Sequence, residues 1–477
     1  MEECKETKSR QLDSIIEFYA GRSIFLTGGT GFLGKAIIEK LLRSCPDVRE
    51  IFLLIRPKNG ATIEERLRNL LDSPVFDRVR AERPSCFEKL IPIAGDTSKE
   101  GLGLTETDRR VIVERASVII HAAANVRFQE DLRKDIYANT RSTRDICLLA
   151  QSMKNLVVLV HVSSTYAHAE KIVVEEKVYH PLTDWRKTLK VVDTLDERSL
   201  RAFTKKYIGD MPNTYTFSKR LAEQVIAEYA KELPIVLFRP SIVISSLEEP
   251  MPGWVDNFNG PVGLMIGGGK GILRVCCLDD STIEDYVPVD MVAKALIVTC
   301  WNRGIRTITE DPEIYVYNCT SNNIRHIVME DMIAMALKIN ETYPLECAIW
   351  RPGVIMTNSS WLHYILMLFL HLLPALLIDG ILKIRGEKPM IFKLQRTIYT
   401  SNVQLRYFLN NTWTFTNEKL QMIMQEAVPP NEKHAFTFNY SNIDLEEYFT
   451  NCLVGAKKYL LHEDLGRMEE LKRRGQR

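Results

Sequence analysis

At 477 residues the chain exceeds one ordinary domain and can bury a core without metal or disulfide staples. Its 62 lysines and arginines against 61 acids leave a formal charge of +1, which excludes the basic surplus of a nucleic-acid binder. The ten cysteines are scattered with no C-x-x-C pair, so they read as reduced thiols and no metal site is expected.

The N-terminal stretch M-E-E-C-K-E-T-K-S-R is charged and lacks an apolar h-region, so the chain is not expected to be secreted. Residues 1–20 read as an N-terminal extension. Short, nearly continuous apolar runs follow at 23–26, 50–55, 90–95, 116–121 and 156–162. Strands buried on both faces of a parallel sheet have this pattern. Helical spacing fills most of the intervals, at 34–43, 62–71, 105–115 and 137–152. A sixth run, P-I-V-L-F-R-P at 234–240, follows a helical pattern over 217–231. This alternation predicts an α/β fold, a Rossmann-type doubly wound parallel sheet.

Residues 248–275 are rich in glycine and proline, which suits a substrate loop or an irregular connection. From about 345 the pattern is mainly helical. Residues 355–378 carry no charge and approach the roughly 20 residues that span a bilayer. Such a segment spans a membrane, lies in its interface or lines a lipid pocket, or forms a buried core helix. His363, His371 and Pro374 weaken the spanning reading. The expected organisation is a nucleotide-binding domain with its substrate loops over 21–340, a smaller, mainly helical C-terminal domain over 341–465, and a charged tail over 466–477.

The first strand-to-helix junction reads L-T-G-G-T-G-F-L-G, residues 26–34. Gly28, Gly31 and Gly34 form G-x-x-G-x-x-G, and the turn as a whole, with Thr27, Thr30, Phe32 and Leu33, is the candidate cofactor-phosphate site. Backbone N–H groups at a helix N-terminus favour a pyrophosphate, and missing side chains let it approach. Arg56 ends the second strand, where an acid would bind a ribose 2′-hydroxyl and an arginine can hold a 2′-phosphate, so NADPH is expected over NADH. Asp96 after the third strand is placed near the adenine. His121-Ala122-Ala123-Ala124 after the fourth strand puts small residues, Ala122 among them, where a backbone passes close to a cofactor. His121 itself reads equally as a hydrogen-bonded core histidine.

Tyr215 and Lys219 form Y-x-x-x-K, and i and i+4 share a helix face. A nearby ammonium is expected to lower the tyrosine pKa from about 10 and make it a proton donor to a carbonyl under reduction. The run Ser163-Ser164-Thr165 follows the fifth strand, and a hydroxyl there can hold the carbonyl oxygen.

In this order the residues resemble the extended short-chain dehydrogenase/reductase superfamily. T-G-G-T-G-F-L-G, H-V-S-S-T-Y, Y-T-F-S-K, F-R-P-S-I-V, P-G-W-V-D-N-F-N-G-P-V-G, G-G-G-K-G and V-P-V-D-M-V together resemble alcohol-forming fatty acyl-CoA reductases, particularly insect-type members. Y-N-C-T-S at 317–321 and F-T-F-N-Y-S-N-I-D at 436–444 extend the resemblance over about 20–462. It implies NADPH-dependent reduction of a long-chain fatty acyl-CoA to a primary alcohol, in two hydride steps through the aldehyde, with release of CoA. Tyr215 and Lys219 match the catalytic pair, and Ser164 matches the hydroxyl position better than its neighbours Ser163 and Thr165. A fatty acyl-CoA and a membrane surface or lipid are the implied partners, at a cytoplasm-facing membrane of the endoplasmic reticulum or peroxisome. Lys270 and Arg274, by the glycine-rich loop, are candidates for the CoA phosphates. The competing readings are an extended short-chain enzyme acting on a sterol or nucleotide sugar, and a non-catalytic NADPH-binding protein.

Overall fold

The computed structural model describes residues 14–467 apart from 59, 129–130, 181–182, 307–310, 312 and 322–325. Most of the tail expected at 466–477 lies outside this range. Seven parallel strands form the main sheet: β1 (Ser23–Thr27), β2 (Glu50–Ile55), β3 (Leu90–Ala94), β4 (Val118–His121), β5 (Val158–Val162), β6 (Ile235–Pro240) and β7 (Tyr315–Cys319). Their order is β7-β6-β5-β4-β1-β2-β3, the doubly wound arrangement predicted from the alternation.

Every residue of β1, β2, β4, β5 and β6 is buried, which is why these segments read as nearly continuous apolar runs. Successive side chains serve opposite faces. Phe25, Phe52, Ile119, Leu159 and Leu237 join the core that includes residues of α2 (Ser142–Gln151) and α3 (Thr214–Tyr229). On the sheet's other side α1 (Phe32–Ser44) packs against α4 (Val289–Gly304). Asn213 caps α3 by accepting from the Thr216 N–H at 2.9 Å, so the helix starts at Thr214 and takes Tyr215 into its first turn.

The chain divides into two compact units assembled from interleaved segments. Among the described residues, one comprises 14–243, Val287–Thr320 and Phe415–Asn439; the other comprises Ile244–Tyr286, Ser321–Thr414 and 440–467. The division expected at 340/341 therefore runs through the second unit. The end of the expected N-terminal extension is structural. Helix Ile15–Tyr19 is seated by Glu432, which accepts from the Ile15 N–H at 2.8 Å and the Ser14 hydroxyl at 2.6 Å, while the Tyr19 hydroxyl donates to Ile297 O at 2.9 Å.

Within the second unit, helix Leu445–Tyr459 packs against the loop that contains P-G-W-V-D-N. A Cβ on Gly455 would lie 1.8 Å from Gly253 O, so this crossing requires glycine. The apolar segment begins as a short strand, Ile355–Thr357, that pairs with Val275–Cys277, and from Ser360 it folds as one helix, α5 (Ser360–Ile384), long and apolar enough to cross a membrane by length and composition. It is not the buried core helix of the third reading: Trp361 is 81% exposed and Ile384 88%. His371 sits in a short π-helical stretch, Leu368–Leu372. Lys270 and Arg274 have structural contacts of their own: Lys270 pairs with Glu463 at 3.0 Å, and Arg274 lies over the Trp350 ring at 4.1 Å.

Candidate active site

The glycine turn lies between β1 and α1 in the first unit. Gly28 has φ +78°, and a Cβ there would stand 2.7 Å from the Ala122 carbonyl carbon and the Ala123 nitrogen. A Cβ on Gly34 would stand 2.2 Å from Gly28 O. These two glycines are needed for the turn to close on itself and on the loop after β4. Gly31 is different: a Cβ there meets only Gly28 O, at 3.3 Å, and it faces outward on an exposed tip with Thr30. Gly31 is also the N-cap of α1 and makes no side-chain cap. A bare backbone at a helix N-terminus, backed by Ala122, fits a dinucleotide pyrophosphate. Phe32 and Leu33 are half-buried in the first turn of α1.

Thr27 does not face this cradle. It is fully buried, and its Oγ1 bonds His121 Nδ1 at 2.7 Å and accepts from the Ala123 N–H at 3.2 Å. His121 Nε2 lies 3.4 Å from the Thr143 hydroxyl, and burial first, then the Lys219 charge, holds its pKa down at about 3. His121 is thus a neutral core histidine that ties β1 to β4. Arg56 and Asp96, at the ends of neighbouring strands β2 and β3, form an ion pair at 3.3 Å. Asp96 also accepts from the Ser98 N–H at 2.9 Å and the Ser98 hydroxyl at 2.7 Å, which orients it toward the largely exposed Arg56.

The three consecutive hydroxyls after β5 have separate environments. Ser163 donates to Glu223 at 2.6 Å, and Thr165 is fully buried. Ser164 accepts from the Tyr166 N–H at 3.2 Å and lies near enough to the Tyr215 phenol to lower its pKa. Of the three, Ser164 is the one the fold brings to Tyr215. Lys219, one turn further along α3, is buried and donates to Val162 O at 2.7 Å.

The electrostatics depart from the sequence expectation. Tyr215 is pushed up to about 12, by desolvation first; Ser164 opposes the shift and Asp135 adds to it. Lys219 is pulled down to about 8 by burial, against the pull of Glu223. The ammonium is engaged with a backbone carbonyl, and loss of solvent outweighs the pair effect expected at i, i+4. At neutral pH the tyrosine is therefore a protonated donor.

The sequence reading passed over several supporting residues. Asn139, in the π-helical stretch Ile136–Arg141, accepts from the Asn125 N–H at 2.8 Å and donates to Ser218 at 2.8 Å, so it fixes the loop after β4 to α3. Glu223 accepts two bonds from Arg239, at 2.9 and 2.7 Å, and bonds His168 at 2.8 Å. Its i+4 spacing from Lys219 was the available signal.

Residues 26–296 and 370–463 each match the family described as Male sterility protein, the first through its NAD-binding part. The chain is 39% identical over 452 residues to fatty acyl-CoA reductase 1 of Mus musculus, covering 95% of this chain and 87% of that protein. Fatty acyl-CoA reductase 2 of the same species is 33% identical, with 97% and 89% covered. Among solved structures, the reductase domain of a nonribosomal peptide synthetase from Mycobacterium tuberculosis superposes with a TM-score of 0.60 at 16% identity, covering 94% of this chain and 95% of that one. The terminal R domain of the myxalamid pathway gives 0.58 at 19%, with 93% of each chain covered. These two likenesses establish the fold. The cradle and the NAD-binding match make a nicotinamide dinucleotide the cofactor class. With both family matches and relatives at this identity over nearly its whole length, the chain belongs to the fatty acyl-CoA reductases, oxidoreductases built on the extended short-chain dehydrogenase/reductase fold.

Proposed function

We propose that this reductase uses NADPH to convert a long-chain fatty acyl-CoA to the primary alcohol, in two reductions through the aldehyde. The observation that carries the reading is the convergence of Ser164, at the end of β5, on Tyr215 in the first turn of α3, one helical turn from the buried Lys219 ammonium. A thioester carbonyl is electrophilic enough to accept hydride, whereas a carboxylate is not. When bound, NADPH supplies that hydride. Ser164 holds the carbonyl oxygen as negative charge develops, and Tyr215 delivers its proton to that oxygen. Lys219 holds the nicotinamide ribose and keeps positive charge beside the phenol as it gives up its proton. The resulting hemithioacetal loses CoA as its thiol and leaves the aldehyde. The same three side chains repeat their roles on the aldehyde, and a second NADPH completes the four-electron reduction.

Purified protein incubated with NADPH and a panel of acyl-CoAs of different lengths, followed by lipid extraction, tests the reading. Fatty alcohol from part of the panel is the expected result. Aldehyde alone removes the second step. No lipid product with NADPH still bound overturns the acyl-CoA assignment in favour of a sugar, a sterol or a sensor role.

Arg56 supports the choice of NADPH because its guanidinium is exposed at the β2 end, where a 2′-phosphate would lie. Arg56→Ala raises the NADPH KM about tenfold to a hundredfold, the weight of one charge-assisted contact, and leaves the NADH KM nearly unchanged. Equal effects on both cofactors would remove Arg56 as the selector.

A further inference from the structure

We infer that the second unit docks on the surface of an anionic lipid bilayer through a helical hairpin, α5 and α6 (Ile391–Leu405), with α5 lying in the membrane plane. The inference goes beyond the reductase chemistry and rests on this unit alone.

Only one narrow stripe of α5 is turned inward. His363, Met367, His371 and Ala375 are buried at four-residue steps. Asp379 continues the stripe, and its carboxylate caps α6 by accepting from the Met390, Ile391 and Phe392 N–H groups at 3.0, 2.9 and 2.8 Å. His371 Nδ1 bonds Gln395 at 2.6 Å, and its Nε2 accepts from the Arg274 N–H at 3.2 Å. His363 stacks on Tyr399, ring planes 8° apart. The helix is therefore tied to its own unit from 363 to 379, about 24 Å of its length. A spanning helix would carry those partners, the Arg274 backbone and Gln395 among them, into hydrocarbon. A helix in the interface leaves them on the aqueous side.

The rest of α5 is apolar and uncovered: Trp361, Phe369, Leu377 and Ile384 are 81, 59, 70 and 88% exposed. That is far more than the scattered exposure a soluble surface tolerates. What covers this face is decided by charge. At the hairpin end stand Lys383, Arg385, Lys388, Lys393 and Arg396, all exposed, and between 380 and 400 the only acid is Glu387. A second copy of the chain brings no counter-charge in either orientation, because residues 355–378 contain no acid and the other end is equally basic. Lipid phosphates and anionic headgroups satisfy the cations while acyl chains receive the apolar face.

The test uses the full-length protein and vesicle flotation, with phosphatidylcholine alone or mixed with phosphatidylserine. Binding to the mixed vesicles is expected. The triple variant Trp361→Glu, Phe369→Glu, Leu377→Glu abolishes flotation while NADPH binding stays unchanged, since all three sites are on the surface. Lys383→Gln, Arg385→Gln, Lys388→Gln lowers partitioning to the anionic vesicles on the order of a hundredfold, about fivefold per cation. Cysteines placed singly at Asn358 and Lys388, in a Cys4→Ser, Cys347→Ser background, report topology through an impermeant maleimide added outside the vesicles. Labelling of both supports in-plane docking; labelling of only one means that α5 spans, and overturns it. Flotation unchanged in the glutamate variant, or wild type that stays in solution as a dimer, also overturns it. Reduction of a water-soluble short-chain acyl-CoA, assayed without vesicles, keeps failure here separate from failure of the reductase reading.

Discussion

Tyr215→Phe lowers kcat by at least about two orders of magnitude, the usual weight of a positioned general acid, and leaves the NADPH dissociation constant within about twofold. The ring is retained, and with it the contact with Phe128, whose centroid is 6.0 Å away. Only the proton donor is removed. Single-turnover reduction and a fluorescence titration with NADPH measure the two quantities, and near-normal turnover in the variant would remove Tyr215 from its role. The same site sets a pH signature. Lys219 titrates at about 8 in the fold against 10.5 ordinarily, so kcat/KM falls as pH rises through about 8 and the ammonium is lost. Stability moves the other way. Between about 8 and 10.5 the unfolded chain holds this proton and the folded chain does not, so the lysine's contribution to stability rises with pH across that window. Melting curves of wild type and Lys219→Met, taken across pH 7–10.5, isolate that contribution. A wild-type advantage that shrinks with rising pH contradicts the depressed pKa.

Five of the six strands read from sequence were legible because each is buried along its whole length and has little but apolar residues to show; β3 is only partly buried, but L-I-P-I-A is as apolar as the others. The seventh strand was not, and Asn318 explains why. Its side chain donates to Val174 O and Thr416 O at 3.1 and 2.8 Å, and its N–H donates to Glu176 at 3.2 Å, so a strand position is spent on joining segments instead of filling the core. The start of α3 was placed three residues late because the apolar periodicity begins at Phe217, whereas the helix begins at its Asn213 cap. The turn glycines and the Y-x-x-x-K pair were legible because their chemistry is local in sequence. The choice among Ser163, Ser164 and Thr165 depended on Glu223, sixty residues away, taking Ser163. The interleaved units were hidden for the same reason: Gly455 has no side chain where Gly253 O passes and Gly253 has none where Asn451 O passes, and nothing near either glycine announces the other.

Glu223→Ala destabilises the fold by about 3–5 kcal/mol, measured by urea unfolding at neutral pH. The carboxylate is 3% exposed and the Arg239 guanidinium it faces is fully buried. Among the described residues, removing it leaves Arg239 the Glu175 and Lys177 carbonyls, at 3.1 and 3.0 Å, and the Tyr179 ring, with no counter-charge. His168 and Ser163 lose an acceptor as well. The cost is that of an orphaned ion, not of the pair, so Glu223→Leu combined with Arg239→Met recovers most of the loss. A double variant as unstable as the sum of the singles would show that the two residues act independently. The carboxylate is held well below its ordinary range, by Arg239 first and then His168, despite burial. Its stabilising contribution is therefore complete above the unfolded value of 4.5 and is lost only as pH falls toward the depressed native one. Glu223 also raises the pKa of Lys219 one turn away. The near-isosteric Glu223→Gln, which keeps hydrogen-bonding capacity while deleting the charge, therefore moves the alkaline limb of kcat/KM to lower pH. A limb that stays near pH 8 in this variant would confine Glu223 to holding the fold, whereas a shifted limb makes the same carboxylate a positioning residue that keeps Lys219 charged.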